Sequence, residues 1–185
     1  MIEKFLEEVK STIDKIEINE LKEMIGVLKN VRERKGRLFL IGSGGGAGHA
    51  SHACADFRKL CGIEAYAPYD NVSELTARTN DDGYDTTIIE YLKGSGFNKK
   101  DCHFVFSVGG GTPNISRNIY NAIIYAFDIK ADIVGVAGKE PSALATYTTA
   151  RIIIESVYPT PITEGLQAVI WHLLVNELKI NEPVW

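Results

Sequence analysis

The 185-residue sequence predicts an α/β fold, with a five-stranded parallel sheet flanked by helices in a Rossmann-like sandwich. From Arg37 onward, short β-rich runs alternate with helical stretches, and the runs are continuously apolar, as in strands buried on both faces. Clusters of glycine follow two of these runs. Residues 1–34 instead repeat apolar residues at helical spacing, which predicts an N-terminal helical extension of two helices or one bent helix.

The strands follow from their composition and from the turn signals that bound them. RLFLIG and HFVFSV are each stopped by glycines, whereas EAYAP ends at a proline and is followed by the helical stretch VSELTARTN. A helix is predicted at 115–127, and a long final helix at 163–178. The predicted strands are 37–42, 64–68, 103–108, 131–138 and 150–156.

Composition predicts one soluble globular domain, residues 1–185, in the cytoplasm. The hydrophobic share is 45%, and no apolar run reaches membrane-spanning length. A net charge of −4 provides no basic field for nucleic acid. The acid-rich N-terminus is unlike a signal peptide, and three cysteines without a CxxC pair fit a reducing cytosol. Neither a nucleic acid nor a membrane is therefore an expected partner.

The first glycine loop, GSGGGAG, follows the first strand and opens a helix. Its glycines permit positive φ angles, and the helix N-terminus behind them favours an anion. We predict that Ser43, Gly44 and Gly45 contact a ligand, although the same glycines also suit a tight turn without one. The chain lacks the GxxxxGKS/T pattern of a P-loop. A dinucleotide GxGxxG pattern would need glycine where Ala47 stands, which leaves the spacing of Asp70 as weak support for a ribose contact.

A second glycine loop, SVGGGTPN, ends the third strand. In open parallel sheets, ligands bind outside the carboxyl ends of the strands. Two such loops, each entering a helix, together favour a ligand crevice at that edge of the sheet. The predicted contacts are the hydroxyl groups of Ser107 and Thr112 and the backbone of Gly109 and Gly110.

Two helices each supply one histidine and one carboxylate. His52 and Asp56 lie four residues apart on the helix after the first loop, so they share a face. Glu164 and His172 lie eight apart on the final helix, about 80° around it and about two turns along it. This set suits a zinc-type divalent site or a general acid and base pair. His172 stands within the apolar run AVIWHLLV, which predicts a buried imidazole that needs a polar partner.

The order of elements, the two loops and the final helix resemble the sugar isomerase (SIS) domain. The chain is similar to the phosphoheptose isomerase family across nearly its whole length. The Gly-Asn-Gly-Gly-Ser loop of that family precedes a helix with His and Glu four apart, and here GSGGG precedes His52 and Asp56. An Asn-Asp pair in the family is matched by Asn80 and Asp81.

Two further motifs carry the same resemblance. The family has a hydroxyl-rich loop, Ser-Thr-Ser-Gly-Asn-Ser, which aligns with residues 107–112. Its final helix has Gln and, eight residues later, His, where this chain has Glu164 and His172. The resemblance thus implies a single SIS domain over residues 1–185, with 1–34 as the N-terminal extension.

The resemblance implies an aldose–ketose isomerase that interconverts sedoheptulose 7-phosphate and a heptose 7-phosphate through an enediol, for heptose and surface-polysaccharide biosynthesis. Asp56 would be the base and His172 the acid. Zinc would be bound by His52, Asp56, Glu164 and His172. A phosphosugar would be the substrate, and a homotetramer would form the sites where subunits meet.

Several positions depart from the family pattern. Asp56 is one methylene shorter than the usual Glu, and Val108 and Gly109 replace two hydroxyl residues of the second loop. Glu164 in place of Gln adds a negative charge, which would tighten a cation and repel a nearby phosphate. Two alternatives stay open beside the isomerase of heptose phosphates: a non-catalytic SIS module that senses a phosphosugar, and an isomerase of a different sugar phosphate.

Overall fold

The computed structural model, which describes residues 1–180, confirms the predicted α/β sandwich. Its strands are all parallel and lie in the order β2-β1-β3-β4-β5. Each of the five predicted strands is present, but β2 is only two residues long because Pro68 begins a 3₁₀ turn one residue after it. The strands are β1 (Leu38–Gly42), β2 (Ala65–Tyr66), β3 (Cys102–Ser107), β4 (Asp132–Ala137) and β5 (Ala150–Ile153).

Helices connect the strands and cover both faces of the sheet. The final helix begins four residues earlier than predicted, with Pro159 in its first turn, where a missing N–H is tolerated. Two short helices, α5 and α7, were not predicted. The helices are α1 (Ile2–Ile13), α2 (Ile18–Glu33), α3 (Gly45–Cys61), α4 (Val72–Asp82), α5 (Thr87–Gly94), α6 (Arg117–Asp128), α7 (Ala143–Tyr147) and α8 (Pro159–Leu178). Across residues 1–180, none of the helices combines the length and apolar character that crossing a membrane requires.

The apolar strands are buried because their alternate side chains enter two different cores. Leu38 and Leu40 of β1 pack in one core together with residues of α2, α3 and α8. Phe39 and Ile41 of the same strand point to the other face and pack with residues of α5, α6 and α7. Burial on both faces explains why these strands are continuously apolar.

The N-terminal segment forms two separate helices of different burial. Helix α2 buries Met24, Leu28 and Val31 against the sheet. Helix α1 packs by one side only, and its Ile2 and Leu6 remain 78% and 52% exposed. An exposed apolar stripe on a leading helix is available for contact with another molecule.

The two glycine loops lie at the same edge of the sheet. Strands β1 and β3 are neighbours, and α3 leaves β1 on one face while α6 leaves β3 on the other. The chain therefore changes direction between these strands, and such a switch point opens a crevice at their carboxyl ends. Both loops border that crevice.

Candidate active site

A cavity of about 200 Å³ lies between the two glycine loops. The first loop contributes Ser43, and the second contributes Ser107 and Gly109. Helix α8 closes the cavity with Glu164 and Gln167. The structure thus brings four of the predicted substrate-binding residues to one place.

The first loop is shaped by a close approach of α3 to the sheet. Gly44 has a φ angle of +59° just before the helix begins. A β-carbon on Gly46 would lie 2.6 Å from the carbonyl oxygen of Phe106, at the end of β3. Only glycine permits both features, so the loop serves as a tight turn as well as a wall of the cavity.

The second loop is held by its own hydroxyl groups. Ser107 Oγ accepts a hydrogen bond from the N–H of Gly110 at 3.1 Å. Thr112 Oγ1 accepts from the N–H groups of Asn114 and Ile115, at 3.3 and 3.0 Å. Gly110 and Thr112 do not line the cavity in the single chain, and their contact with a substrate stays a prediction.

Two helices bring His52, Asp56 and His172 together. The potential ligand atoms of these side chains all lie within 4.8 Å of one another. His52 Nε2 is 3.8 Å from Asp56 Oδ2, and the rings of His52 and His172 are 5.4 Å apart and almost perpendicular. Residues 120 positions apart therefore form one cluster, whose two imidazoles and one carboxylate are donors that suit a divalent metal ion.

His172 is exposed, which corrects the prediction of a buried imidazole. Helix α8 is apolar nearly all round, so its outer side also exposes Val169 and Leu173. His172 Nδ1 donates a hydrogen bond to the carbonyl oxygen of Ala168 at 2.7 Å. Trp171 packs beneath, with its ring 4.7 Å from that of His52. These contacts orient the His172 ring and leave Nε2 free to bind a ligand or to carry a proton.

Glu164 does not join the cluster. Its carboxylate lies against Gly45, where an added β-carbon would come within 2.5 to 2.9 Å of the carboxylate atoms. Glu164 and His172 are about two helical turns apart, so the two side chains reach different parts of α3. A role for Glu164 as a fourth metal ligand stays a prediction.

His49 lies on α3, between the His52, Asp56 and His172 cluster and the side chain of Glu164 from α8. Burial lowers the pKa of its half-buried imidazole, and the carboxylate of Glu164 acts in the opposite direction. The ring therefore favours its neutral form in this crevice.

Asn80 and Asp81 lie apart from the cavity in the single chain. Both are exposed on α4, where Asn80 Nδ2 donates to Asp81 Oδ1 at 2.8 Å. Their predicted contact with the substrate is not tested by this geometry.

One polar residue of the cavity is not anticipated by the sequence motifs. Gln167 is fully buried, and its Nε2 donates to the carbonyl oxygen of Val136 at 3.0 Å. Its Oε1 accepts no hydrogen bond from residues 1–180. The sequence signal that could have identified Gln167 is its position three residues after Glu164, which places both residues on one side of α8.

Comparison with known proteins confirms the resemblance seen in the sequence. No protein-family model matches the chain. The phosphoheptose isomerase of Helicobacter pylori strain P12 is 26% identical over 161 residues, which are 84% of this chain and 81% of that protein. The phosphoheptose isomerase of Sulfurimonas denitrificans is 28% identical over 179 residues, 93% of this chain and 89% of that protein.

The solved structure of a phosphoheptose isomerase from Neisseria gonorrhoeae has the same fold. Its TM-score is 0.84 at 20% sequence identity, with 96% of this chain and 95% of that chain covered. The chain is thus a divergent relative of the phosphoheptose isomerases, with their SIS-domain fold.

Proposed function

We propose that this protein interconverts sedoheptulose 7-phosphate and a heptose 7-phosphate through an enediol intermediate. The broader class, a sugar-phosphate isomerase, follows from curated relatives that share most of the length of the chain. The observation that carries the specific proposal is the meeting of Asp56 and His172, from remote helices, about three helical turns along α3 from the cavity between the glycine loops.

Aldose–ketose exchange moves a proton between two adjacent carbons, so it requires a base and an acid on either side of the substrate. Asp56 offers a half-buried carboxylate that accepts the proton from the carbon next to the carbonyl. His172, whose ring is oriented by the carbonyl of Ala168, would deliver a proton from Nε2 on the other side of the substrate. The shorter Asp56 requires the substrate to lie close to α3.

We further propose that the cluster holds zinc. His52, Asp56 and His172 would bind the ion, since imidazole nitrogen and carboxylate oxygen are common zinc ligands. Because Nδ1 of His172 is bonded to Ala168, its Nε2 would serve either the ion or the proton at any one time. When bound, zinc supplies Lewis-acid polarisation of the sugar oxygens.

We propose a homo-oligomer, with a tetramer favoured, in which sites lie between subunits. Val169 and Leu173 are 53% and 37% exposed beside His172, which supports cover by a second copy of the chain. The three cysteines are free and buried, which fits a cytoplasmic enzyme of heptose and surface-polysaccharide biosynthesis.

The proposal is tested by following sedoheptulose 7-phosphate by NMR, with and without added zinc. We expect turnover by the wild type and its loss in Asp56→Asn and His172→Ala. Asp128→Asn, an exposed carboxylate at the end of α6, is the matched control and should retain activity. A wild type that leaves this ketose unchanged in both conditions would reject the specific substrate.

The same experiment separates the alternatives. Turnover of another ketose phosphate in a panel would identify an isomerase with a different substrate. A phosphosugar that raises the melting temperature but is never converted would instead identify a sensor module.

A further inference from the structure

Two hydroxyl residues line the cavity beside those that the sequence predicted. Ser43 and Ser107 are predicted contacts, and Ser116 and Thr160 join them. Ser116 comes directly before helix α6, and Thr160 is the second residue of α8. Other parts of the chain thus supply hydroxyl groups to the cavity, whereas positions 108 and 109 of the second loop supply none.

The backbone of Ser116 has an unusual conformation. Its φ and ψ angles are +55° and +50°, in the left-handed region, which is unfavourable for a residue with a β-carbon. A serine at the start of a helix usually has an extended backbone, and its side-chain oxygen accepts a hydrogen bond from the first turn. The side chain of Ser116 makes no such bond to α6. Glycine would suit this backbone better, so neither the turn nor the helix cap explains a serine at this position.

Two helices present N–H groups to the wall of the cavity. Gly46 lies in the first turn of α3, and Ser116 precedes α6, whereas the first turn of α8 contains two prolines that lack an N–H. The first N–H groups of a helix have no intrahelical acceptors and favour a negative charge. On the α3 side, the carboxylate of Glu164 already supplies that charge, because it lies against Gly45. The start of α6, beside Ser116, is therefore the place in the cavity that best suits the anionic group of a ligand.

We propose that Ser116 binds the phosphate group of the substrate through its side-chain hydroxyl. The hydroxyl would donate a hydrogen bond, and a phosphate oxygen would accept it. Residues held in an unfavourable backbone conformation are frequent where a protein contacts its ligand. The inference rests on the proposed function, since the phosphate is that of the sugar phosphate. It assigns a contact outside the loop motif of residues 107–112.

The test titrates inorganic phosphate into the full-length protein, with EDTA present so that no metal ion binds the phosphate. Amide NMR signals of Ser107 and Gly109 report on the cavity. Ser116→Gly removes the hydroxyl and suits the left-handed backbone, whereas Ser116→Ala removes the hydroxyl alone. Lys130→Gly is the matched control, because exposed Lys130 has a φ angle of +60° just after the other end of α6.

For the wild type and Lys130→Gly, we expect millimolar phosphate to shift both signals with equal affinity. Both variants of Ser116 should bind phosphate at least about tenfold more weakly, as expected for the loss of a hydrogen bond to a charged group. Without phosphate, Ser116→Gly should melt no lower than the wild type, because glycine adopts this conformation without strain. Weaker binding by a variant of unchanged stability is a result that a purely structural role for Ser116 would not give.

Three results would overturn the proposal. The first is a wild type whose signals do not respond to phosphate, and the second is a loss of affinity smaller than tenfold in Ser116→Gly. The third is a melting temperature of Ser116→Gly below that of the wild type, which would show that the hydroxyl stabilises the fold.

These results are independent of the test of turnover. An enzyme that converts sedoheptulose 7-phosphate while Ser116→Gly binds phosphate normally keeps the proposed function and loses this inference. A protein that binds phosphate through Ser116 but converts no sugar phosphate loses the proposed function alone.

Discussion

Mild acid should destabilise this protein through His103, a buried imidazole in β3. The side chain is fully buried, and Nδ1 donates to the carbonyl oxygen of Phe39 at 3.2 Å. Nε2 has no partner among residues 1–180, so a second proton there would have no acceptor. Burial lowers the pKa of His103 from 6.5 to about 4, against the opposing effect of the Phe39 carbonyl.

The direction and size of the effect follow from the two pKa values. The unfolded chain takes up this proton near pH 6.5, whereas the folded chain takes it up near pH 4. Between those values the unfolded state binds more protons, so stability falls as the pH falls through 6.5 and levels off below 4. At about 1.4 kcal/mol per pH unit, the full loss is roughly 3 kcal/mol, of which about 2 kcal/mol is lost by pH 5.

Urea unfolding followed by circular dichroism at pH 7, 6 and 5 measures this loss. The protein concentration must be fixed, because assembly couples stability to concentration. His103→Leu should have lower stability at pH 7 but lose about 2 kcal/mol less than the wild type on acidification. Val105→Ala, which destabilises the same buried strand without removing a titratable group, should keep the wild-type pH dependence. An equal acid-induced loss in His103→Leu and the wild type would refute the reasoning.

Three other outcomes are expected. Gly46→Ala should lower the free energy of unfolding by about 1–3 kcal/mol, because the added β-carbon would clash with the Phe106 carbonyl. Each kcal/mol corresponds to a fall of about 2–4 °C in the melting temperature. At Gly48 an added β-carbon has no neighbour within 4 Å, so Gly48→Ala should raise the free energy of unfolding by up to about 1 kcal/mol. Equal shifts in melting temperature for the two variants would contradict this account. Leu173→Glu should lower the mass measured by light scattering, whereas an unchanged mass would argue against cover of this face by a second copy. Calorimetry should detect one zinc ion per chain and a roughly 100-fold or greater loss of affinity in His172→Ala, and an unchanged affinity would exclude His172 as a ligand.

The fold was predictable where the local pattern was strong. Continuous apolar runs closed by glycine predicted β1 and β3 almost to the residue. A short, continuously apolar run that ends at glycines is typical of a parallel strand buried on both faces. Helices α5 and α7, of eight and five residues, are too short to show a clear helical period. Strand β2 was overestimated because apolar residues before Pro68 continue past the two that pair with β1.

The site was predictable only in part. Spacing alone placed His52 and Asp56 on one face of a helix, and the family resemblance pointed to His172 as their partner. The direction of the Glu164 side chain depends on the space that Gly45 leaves open, which is a tertiary contact with no local signature. The exposure of His172 was missed because an apolar run predicts burial within one chain, whereas α8 also presents apolar residues at the surface.

The charge of Glu164 and the thinned second loop border the same cavity. In a cavity with many hydroxyl donors for a phosphate, a carboxylate would oppose binding. In this chain Val108 and Gly109 supply no hydroxyl, and the hydroxyl groups that line the cavity come from other positions, which are Ser43, Ser107, Ser116 and Thr160. The N-terminus of α3 stabilises the charge of Glu164 in this setting. The His52, Asp56 and His172 cluster lies about two or more helical turns further along α3, beyond direct contact with this change. Under the proposed function, proton transfer and recognition of the rest of the sugar would be carried out by separate parts of the α3 and α8 pair, so one could change while the other is kept.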